Sequence, residues 1–167
     1  FAYQGGTILT KNEEENEYQK TKNRFFQDLS EEYPQETCQM WLEHIQSNKS
    51  AGRRAHCTYN ENPLLLKEQL KNVLKAIGNL PAGDNNHPVK YCRLPVFAHR
   101  ITNDPHAFDT NTPQCRLLIQ ALGFIRGLQE ADYRLSSSPH SEEITELLSN
   151  FGIIRDDILN FVTCAGS

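Results

Sequence analysis

Long apolar runs are missing from this chain of 167 residues. No segment approaches the roughly 20 consecutive apolar residues that a membrane-spanning helix needs. The N-terminal region also lacks the basic segment and apolar core that mark a signal peptide. The sequence therefore predicts a protein that does not contact membranes and resides in the cytoplasm. Because Phe1 opens the chain and the single methionine is Met40, we expect the true start of the protein to lie elsewhere.

Paired cysteine motifs are missing as well. The chain has five cysteines, an odd number at wide spacing, and no C-x-x-C pair. This usage predicts reduced, unpaired thiols, as is typical of cytoplasmic proteins. A zinc site would have to collect His56, Cys57, Cys92, His99 and Cys115, whose spacings match no zinc ribbon or finger. Isolated cysteines are more often small core residues, so we expect no metal and no cofactor in this chain.

Complete catalytic motifs are also absent. The chain has no glycine-rich phosphate loop, no G-x-S-x-G elbow and no H-E-x-x-H helix. Asp156 and Asp157 are adjacent and do not form a D-x-D pair. The sequence therefore predicts no catalytic residue and no active site that is complete within this chain.

Positive charge is scarce overall but is clustered in two places. With 17 basic and 21 acidic residues the net charge is −4, which argues against a strongly basic, non-specific nucleic-acid binder. Arg53 and Arg54 form the only tight basic pair, and Lys67, Lys71 and Lys75 recur at the spacing of one helix face. We expect any contact with DNA phosphates to use these five residues. The alternative is an ordinary solvated helix face.

Helical periodicity dominates the chain and predicts a mainly α, multi-helix fold with at most a short β element near residues 89–99. Residues 1–34 are expected to form a polar connector helix that Pro34 ends, and residues 35–167 a helical domain. Apolar stripes at helical spacing predict one shared core, which is expected to include Leu70, Leu74, Leu118, Leu122 and Leu148.

Caps and breakers give the expected boundaries of these elements. Asn62 and Thr112, each followed by proline, are expected N-caps, whereas Gly78 and Gly152 are expected to end helices. Residues 47–62 and 79–88 are predicted loops. Residues 89–97 are a predicted short strand that lies at a sheet edge. A last short segment is expected to begin at residue 156 or 157.

A polar turn with two histidines, an arginine and two carboxylates allows two interpretations. In one, His106 and Asp109 form a site for proton transfer or part of a metal site. In the other, residues 103–105 build a turn, Arg100 pairs with a carboxylate, and the next helix is capped by Asp109, Asn111 or Thr112. Base rates favour the architectural interpretation.

The stretch from Leu94 to Asp109 reads L-P-V-F-A-H-R-I-T-N-D-P-H-A-F-D, and residues 116–122 read R-L-L-I-Q-A-L. This order resembles an apolar segment, an N-D-x-H-A-L-D-type turn and an R-L-L-L-x-A-L helix in the family of JetD, the nuclease subunit of bacterial type I Wadjet plasmid-defence systems. Residues 5–14, 25–26, 41–43 and 151–160 look similar to the same family. Phe108 stands where the family usually has Leu, and Asn160 where Ser is commoner.

The resemblance implies that the chain is an internal region ahead of a Toprim domain in a much longer parent. In such relatives the Toprim domain uses an early Glu and a later D-x-D to hold divalent metal, Mg or Mn, for DNA cleavage. Neither motif occurs here, so this region is expected to be non-catalytic. The implied partners are double-stranded DNA and an SMC-type defence complex, and a homodimer is left open.

Three functions follow for comparison. The first is an accessory region of a plasmid-defence nuclease subunit that contacts DNA or docks a partner. The second is a protein-interaction module with no nucleic-acid contact, which the acidic balance favours. The third is a small self-contained hydrolase that uses the turn with His106 and Asp109.

Overall fold

The computed structural model describes residues 10–81 and 90–155. Four expectations lie wholly or mainly outside these ranges: the similarity over residues 5–14, most of the predicted loop 79–88, the segment after residue 155, and the state of Cys164. The described residues confirm a mainly α fold. Seven helices are present in them, together with two strands of two residues each. In chain order these are α1 (Lys11–Glu32), α2 (Glu36–Ser47), α3 (Arg53–Glu61), α4 (Pro63–Gly78), β1 (Cys92–Arg93), α5 (Leu94–Thr102), α6 (Pro113–Gln129), α7 (Ser141–Asn150) and β2 (Ile153–Ile154).

The chain divides into two compact units, Phe1–Pro34 and Gln35–Ser167. The first unit is built around α1, whose start is fixed by a capping box. The Glu13 N–H donates to the Thr10 hydroxyl, and the Thr10 N–H donates to the Glu13 carboxylate, both at 3.2 Å. These two bonds satisfy donors that the first turn of a helix otherwise leaves open.

The second unit has a core in which α4 and α6 are the central pair. Leu70, Leu74, Leu118, Leu122 and Leu148 are all fully buried, so the predicted shared core is confirmed. Full burial of one such side chain contributes roughly 1.5–3 kcal/mol of transfer free energy. The stripe of α2 is buried as well, because Cys38, Trp41, Leu42 and Ile45 are each at most 2% exposed.

The predicted caps of the two central helices are confirmed. The side chain of Asn62 accepts from the Leu65 N–H at 3.1 Å, and the hydroxyl of Thr112 accepts from the Cys115 N–H at 3.1 Å. At the end of α7, Gly152 has φ of +82°, a backbone conformation that glycine adopts without strain. The helix ends predicted from sequence are therefore confirmed where the capping residue lies next to the helix that it ends.

One predicted loop and one predicted strand contain helical residues instead. The predicted loop 47–62 contains α3, which buries Ala55 and Tyr59 four residues apart. In the described part of the predicted strand 89–97, residues 90–97, β structure is confined to Cys92–Arg93, and α5 follows at once. Pro95 lies in the first turn of α5, where a missing N–H costs nothing because no helical bond forms there.

The small sheet is parallel and joins distant parts of the second unit. Cys92 pairs with Ile153 and Arg93 with Ile154, and the Cys92 N–H donates to the Gly152 carbonyl at 2.8 Å. This pairing holds the start of α5 beside the end of α7. Within residues 10–81 and 90–155, no helix has both the length and the apolar character that a membrane crossing requires.

Candidate nucleic-acid interface

The polar turn begins where α5 ends in a left-handed residue. Asn103 has φ of +64°, and its N–H donates to the His99 carbonyl at 2.8 Å. The Asp104 carboxylate then accepts from the His106 N–H at 2.9 Å. Asparagine tolerates the left-handed region and aspartate bonds its own backbone two residues on. Both residues therefore have the geometry of turn formers.

Among the three cap candidates of the architectural interpretation, Asp109 is not the one that caps α6. Its carboxylate accepts from the Nδ1 side of the His106 ring at 3.0 Å, and these side chains are 79% (His106) and 43% (Asp109) exposed. Thr112 is the N-cap instead, because its hydroxyl accepts from the Cys115 N–H and donates to the Asp109 carbonyl at 2.7 Å. Thr112 caps the helix rather than Asp109 because Thr112 lies immediately before Pro113, the first helical residue.

A buried ring and an amide hold the turn on the helical core. Phe108 is fully buried, and its ring stacks on that of Phe97 with centroids 6.3 Å apart. Gln114 donates to the Ala107 carbonyl at 3.1 Å and accepts from the Asn72 amide of α4 at 3.1 Å. The turn is thus fixed to both central helices.

The basic residues that the sequence singled out lie on α3 and α4. Arg53 and Arg54 are exposed in the first turn of α3, where the helix dipole favours anions. Lys67 and Lys71 are half-buried and Lys75 is exposed. This gradient arises because a four-residue repeat advances about 40° around a helix at each step, so the stripe starts beside the buried face of α4 and drifts away from it.

A groove of about 890 Å³ opens in the second unit. Its walls are the end of α2, the turn before α3, one face of α6 and the segment that follows α6. Gly123 of α6 lets that segment approach, because a Cβ there would lie 2.7 Å from the Leu135 side chain. The Gln120 amide donates to the Ala51 carbonyl at 3.0 Å and ties α6 to the turn before α3.

Three arginines line this groove, namely Arg54, Arg116 and Arg134. No aspartate or glutamate is among the described residues that line it. The guanidinium of Arg134 is oriented by two bonds, because its Nη1 donates to the Ala131 and Tyr133 carbonyls at 2.9 and 2.8 Å. Guanidinium groups bind phosphate through planar, paired hydrogen bonds, so the wall has the charge and the donors that an anionic ligand needs.

One carboxylate near the serine-rich part of the wall is engaged by the backbone. The Glu143 carboxylate accepts from the Ser136 N–H at 2.9 Å, and the hydrogen bonds from Ser136 lower the pKa of Glu143. Glu130, just past α6, pairs with Arg126 at 2.8 Å. Both carboxylates thus have partners of their own.

Aromatic groups and a thiol complete the lining. His44 of α2 and Phe124 of α6 stack with ring centroids 4.5 Å apart and planes 24° apart. Burial raises the pKa of the Cys115 thiol to about 12, and thiolates rather than thiols are nucleophilic. Cys115 therefore lines the groove as a neutral group at physiological pH.

The described histidine, cysteine and carboxylate side chains do not gather into a metal site. In the part of the chain that the structure describes, no three histidine, cysteine, aspartate or glutamate side chains lie together as a metal site requires. The four described cysteines are free thiols, of which Cys38 and Cys115 are buried, Cys92 is half-buried and Cys57 is exposed. The zinc set considered from sequence is therefore not assembled in these residues.

The family model described as "Protein of unknown function N-terminus (DUF3323)" matches residues 1–167. The chain belongs to the DUF3323 family. No curated protein matches this DUF3323 chain, and no solved structure matches it.

The groove of the DUF3323 chain uses few of the residues that the sequence singled out. Of the predicted DNA contacts, only Arg54 is among its described lining residues. Arg116 and Arg134 were not predicted contacts, because neither has another basic residue near it in the sequence. Within the described lining, none of the turn residues Arg100, Asn103, Asp104, His106 and Asp109 takes part.

Proposed function

We propose that this DUF3323 chain is a DNA-contacting accessory region of a plasmid-defence nuclease subunit of the JetD kind. In this proposal it does not cleave DNA by itself. Its partners are double-stranded DNA and an SMC-type complex in the cytoplasm. Any Mg or Mn chemistry belongs to a Toprim domain elsewhere in the parent.

One observation carries the DNA contact. Arg54, Arg116 and Arg134 come from three separate parts of the chain and line one groove, without a carboxylate among its described lining residues. Three guanidinium groups, with no carboxylate among the described lining residues, favour a polyanion, because phosphates gain paired hydrogen bonds and displace counterions.

The lysine stripe of α4 supports a second, duplex-facing contact. Lys75 is exposed, and the half-buried Lys67 and Lys71 have stems that can lie along the helix while their ammonium groups reach solvent. Together with Arg53 at the start of α3, these lysines are the other residues that the sequence predicts as DNA contacts. Lysines act on phosphates as mobile point charges, which suits sequence-independent contact.

The non-catalytic part of the proposal is supported by the donors of this chain. The resemblance assigns cleavage to an early Glu and a D-x-D motif, and this sequence has no D-x-D. Two-metal cleavage needs acidic ligands that hold metals about 4 Å apart. Among the described residues no such cluster exists.

Binding of a forked DNA, which offers both a duplex and a single-stranded tail, tests the proposal. Fluorescence anisotropy between about 50 and 200 mM salt should give an affinity that falls with salt. The double variant Arg54→Gln/Arg116→Gln should weaken binding, and Lys67→Gln/Lys71→Gln/Lys75→Gln should flatten the salt dependence. Arg24→Gln, on α1, removes the same charge elsewhere and serves as the control. No salt-dependent binding to any DNA would end the proposal.

A protein-interaction module is the second candidate, and exposed apolar side chains favour it. Leu64 and Leu65, in the first turn of α4, are 79% and 43% exposed. Adjacent exposed leucines are typical of contact surfaces when they form part of a larger patch. If Leu64→Ser/Leu65→Ser abolished plasmid defence while DNA binding persisted, docking would be the main role.

The hydrolase candidate has less support. Its two residues form a contact at 3.0 Å, but His106 is 79% exposed. An efficient acid–base pair usually lies in a cleft that excludes water and tunes its pKa. Purified chain that nicks supercoiled plasmid with Mg or Mn, and loses this activity in Asp109→Asn, would revive it.

A further inference from the structure

We infer that the arginine-lined groove takes a single DNA strand rather than a duplex, with phosphates on Arg54 and Arg116 and a base against the ring of Phe124. This inference rests on the proposed DNA contact and states which form of DNA the groove accepts. Three observations support it: the volume of the groove, the presence of both arginines and aromatic rings in its lining, and the fixed segment after α6 that forms one wall.

Size comes first. The groove encloses about 890 Å³, within the range of sites that hold one drug-sized ligand. A duplex is wider than its own major groove, which measures about 12 Å across. It can therefore lie across the mouth of a groove of this volume but cannot enter it. A strand whose bases are unpaired can enter it.

Cations and aromatic rings occur together in the lining. Arg54 and Arg116 supply charge, while His44 and Phe124 form a stacked pair 4.5 Å apart. Proteins that hold single strands combine a positive groove with aromatic rings on which bases stack. A site for duplex phosphates needs only the charge, because paired bases are stacked on each other.

The wall after α6 is compact and rich in donors. Gly123 admits the Leu135 side chain against α6, and the serines at 136–138 line the groove beyond it. The Arg134 guanidinium is held by two backbone carbonyls. A wall fixed in this way presents hydroxyl donors along a strand.

The test compares three labelled probes of equal length on the full 167-residue chain: an oligo-dT strand, a duplex and an abasic strand with the same number of phosphates. In the background Lys67→Gln/Lys71→Gln/Lys75→Gln, which removes the proposed duplex-facing contact, we expect oligo-dT to bind more tightly than both others. Phe124→Leu, which keeps an apolar side chain but removes the ring, should weaken oligo-dT binding by roughly 5- to 150-fold and leave abasic-strand binding unchanged. Arg116→Gln should weaken both strands and lower the salt slope by roughly 0.7.

Controls separate the outcomes. Val96→Ala changes an exposed apolar residue of α5 that is not among the described lining residues of the groove, and should leave all three affinities unchanged. If Phe124→Leu lowers the thermal stability, His44→Gln carries the same test. Equal binding of duplex and oligo-dT, with no effect of Phe124→Leu or His44→Gln, overturns the inference and leaves the DNA contact standing. Failure to bind any probe removes both, and displacement of oligo-dT by polyglutamate at matched charge indicates an acidic protein ligand instead.

Discussion

Replacing Thr112 by alanine should destabilise the chain more than replacing Asp109. Thr112→Ala removes the hydroxyl that accepts from the Cys115 N–H and donates to the Asp109 carbonyl. Loss of an N-cap costs about 0.5–2 kcal/mol, and the second bond adds about 0.5–1.5 kcal/mol. Asp109→Ala removes only the contact with the exposed ring of His106, which is worth about 0.2–1 kcal/mol.

Thermal unfolding followed by far-UV circular dichroism measures this difference. One kcal/mol corresponds to roughly 2–8 °C in Tm for domains of this size range, so Thr112→Ala should lower the Tm by several degrees. Thr112→Ser keeps the hydroxyl and should retain most of the stability. High salt should shrink the effect of Asp109→Ala, because exposed charges are screened. If Asp109→Ala were as costly as Thr112→Ala in about 1 M salt, the assignment of the cap would be refuted.

Three further predictions concern the core, one glycine and one thiol. Leu122→Ala should cost about 2–5 kcal/mol, whereas Leu128→Ala on the same helix, 49% exposed, should change stability little in urea titrations. Gly52→Ala should cost at least about 1–3 kcal/mol, since a Cβ there would overlap the Ile45 carbonyl oxygen; wild-type stability would contradict this. Because burial raises the pKa of Cys115 from 9.0 to about 12, the folded state favours the neutral thiol. Its contribution should be complete below pH 9 and be lost at about 1.4 kcal/mol per pH unit as the pH rises toward 12. Cys115→Ala should flatten that alkaline slope.

The helices that sequence predicted well are those whose signals are local. Buried residues repeat along α4, Asn62 is its N-cap, and Gly78 is its last helical residue. Stripe, cap and stop signal all lie within one segment, so a single window of sequence contains them. The same holds for α6, where Thr112 and the following proline fix the start.

The elements that sequence missed depend on distant partners. Helix α3 has nine residues, no side-chain cap and two buried anchors, Ala55 and Tyr59, which is too little periodicity to distinguish it from a loop. Residues 94–97 resemble a strand in composition, but only Cys92 and Arg93 find a partner strand, some 60 residues later. Tertiary pairing, which no local pattern encodes, decided where β structure ends and α5 begins.

The candidate site was harder to predict than the fold for the same reason. Sequence clustering drew attention to Arg53 and Arg54 because they are adjacent, and to the lysines because they recur. Arg116 and Arg134 carry no such signal, since each stands alone and reaches the groove only through the packing of α6 and the segment after it. A site built from single residues on separate elements becomes visible only when the elements are assembled.

The net charge of −4 sums over both units and therefore does not describe the charge in the groove; it acts on a polyanion only at long range and low salt. Helix α1 carries seven acidic and four basic side chains and so accounts for −3 of that total; the second unit is close to neutral. A phosphate responds mainly to charges within about one Debye length, roughly 8 Å at physiological ionic strength. In the groove the described lining residues include three arginines and no carboxylate. Local charge of this kind allows an acidic chain to bind a polyanion.

The acidic residues of α1 should repel DNA at long range when the salt concentration is low. Glu13→Gln/Glu14→Gln/Glu15→Gln should therefore raise the DNA association rate at low salt and leave the dissociation rate unchanged. An equal effect at high salt would mean that these acids act through structure and not through charge.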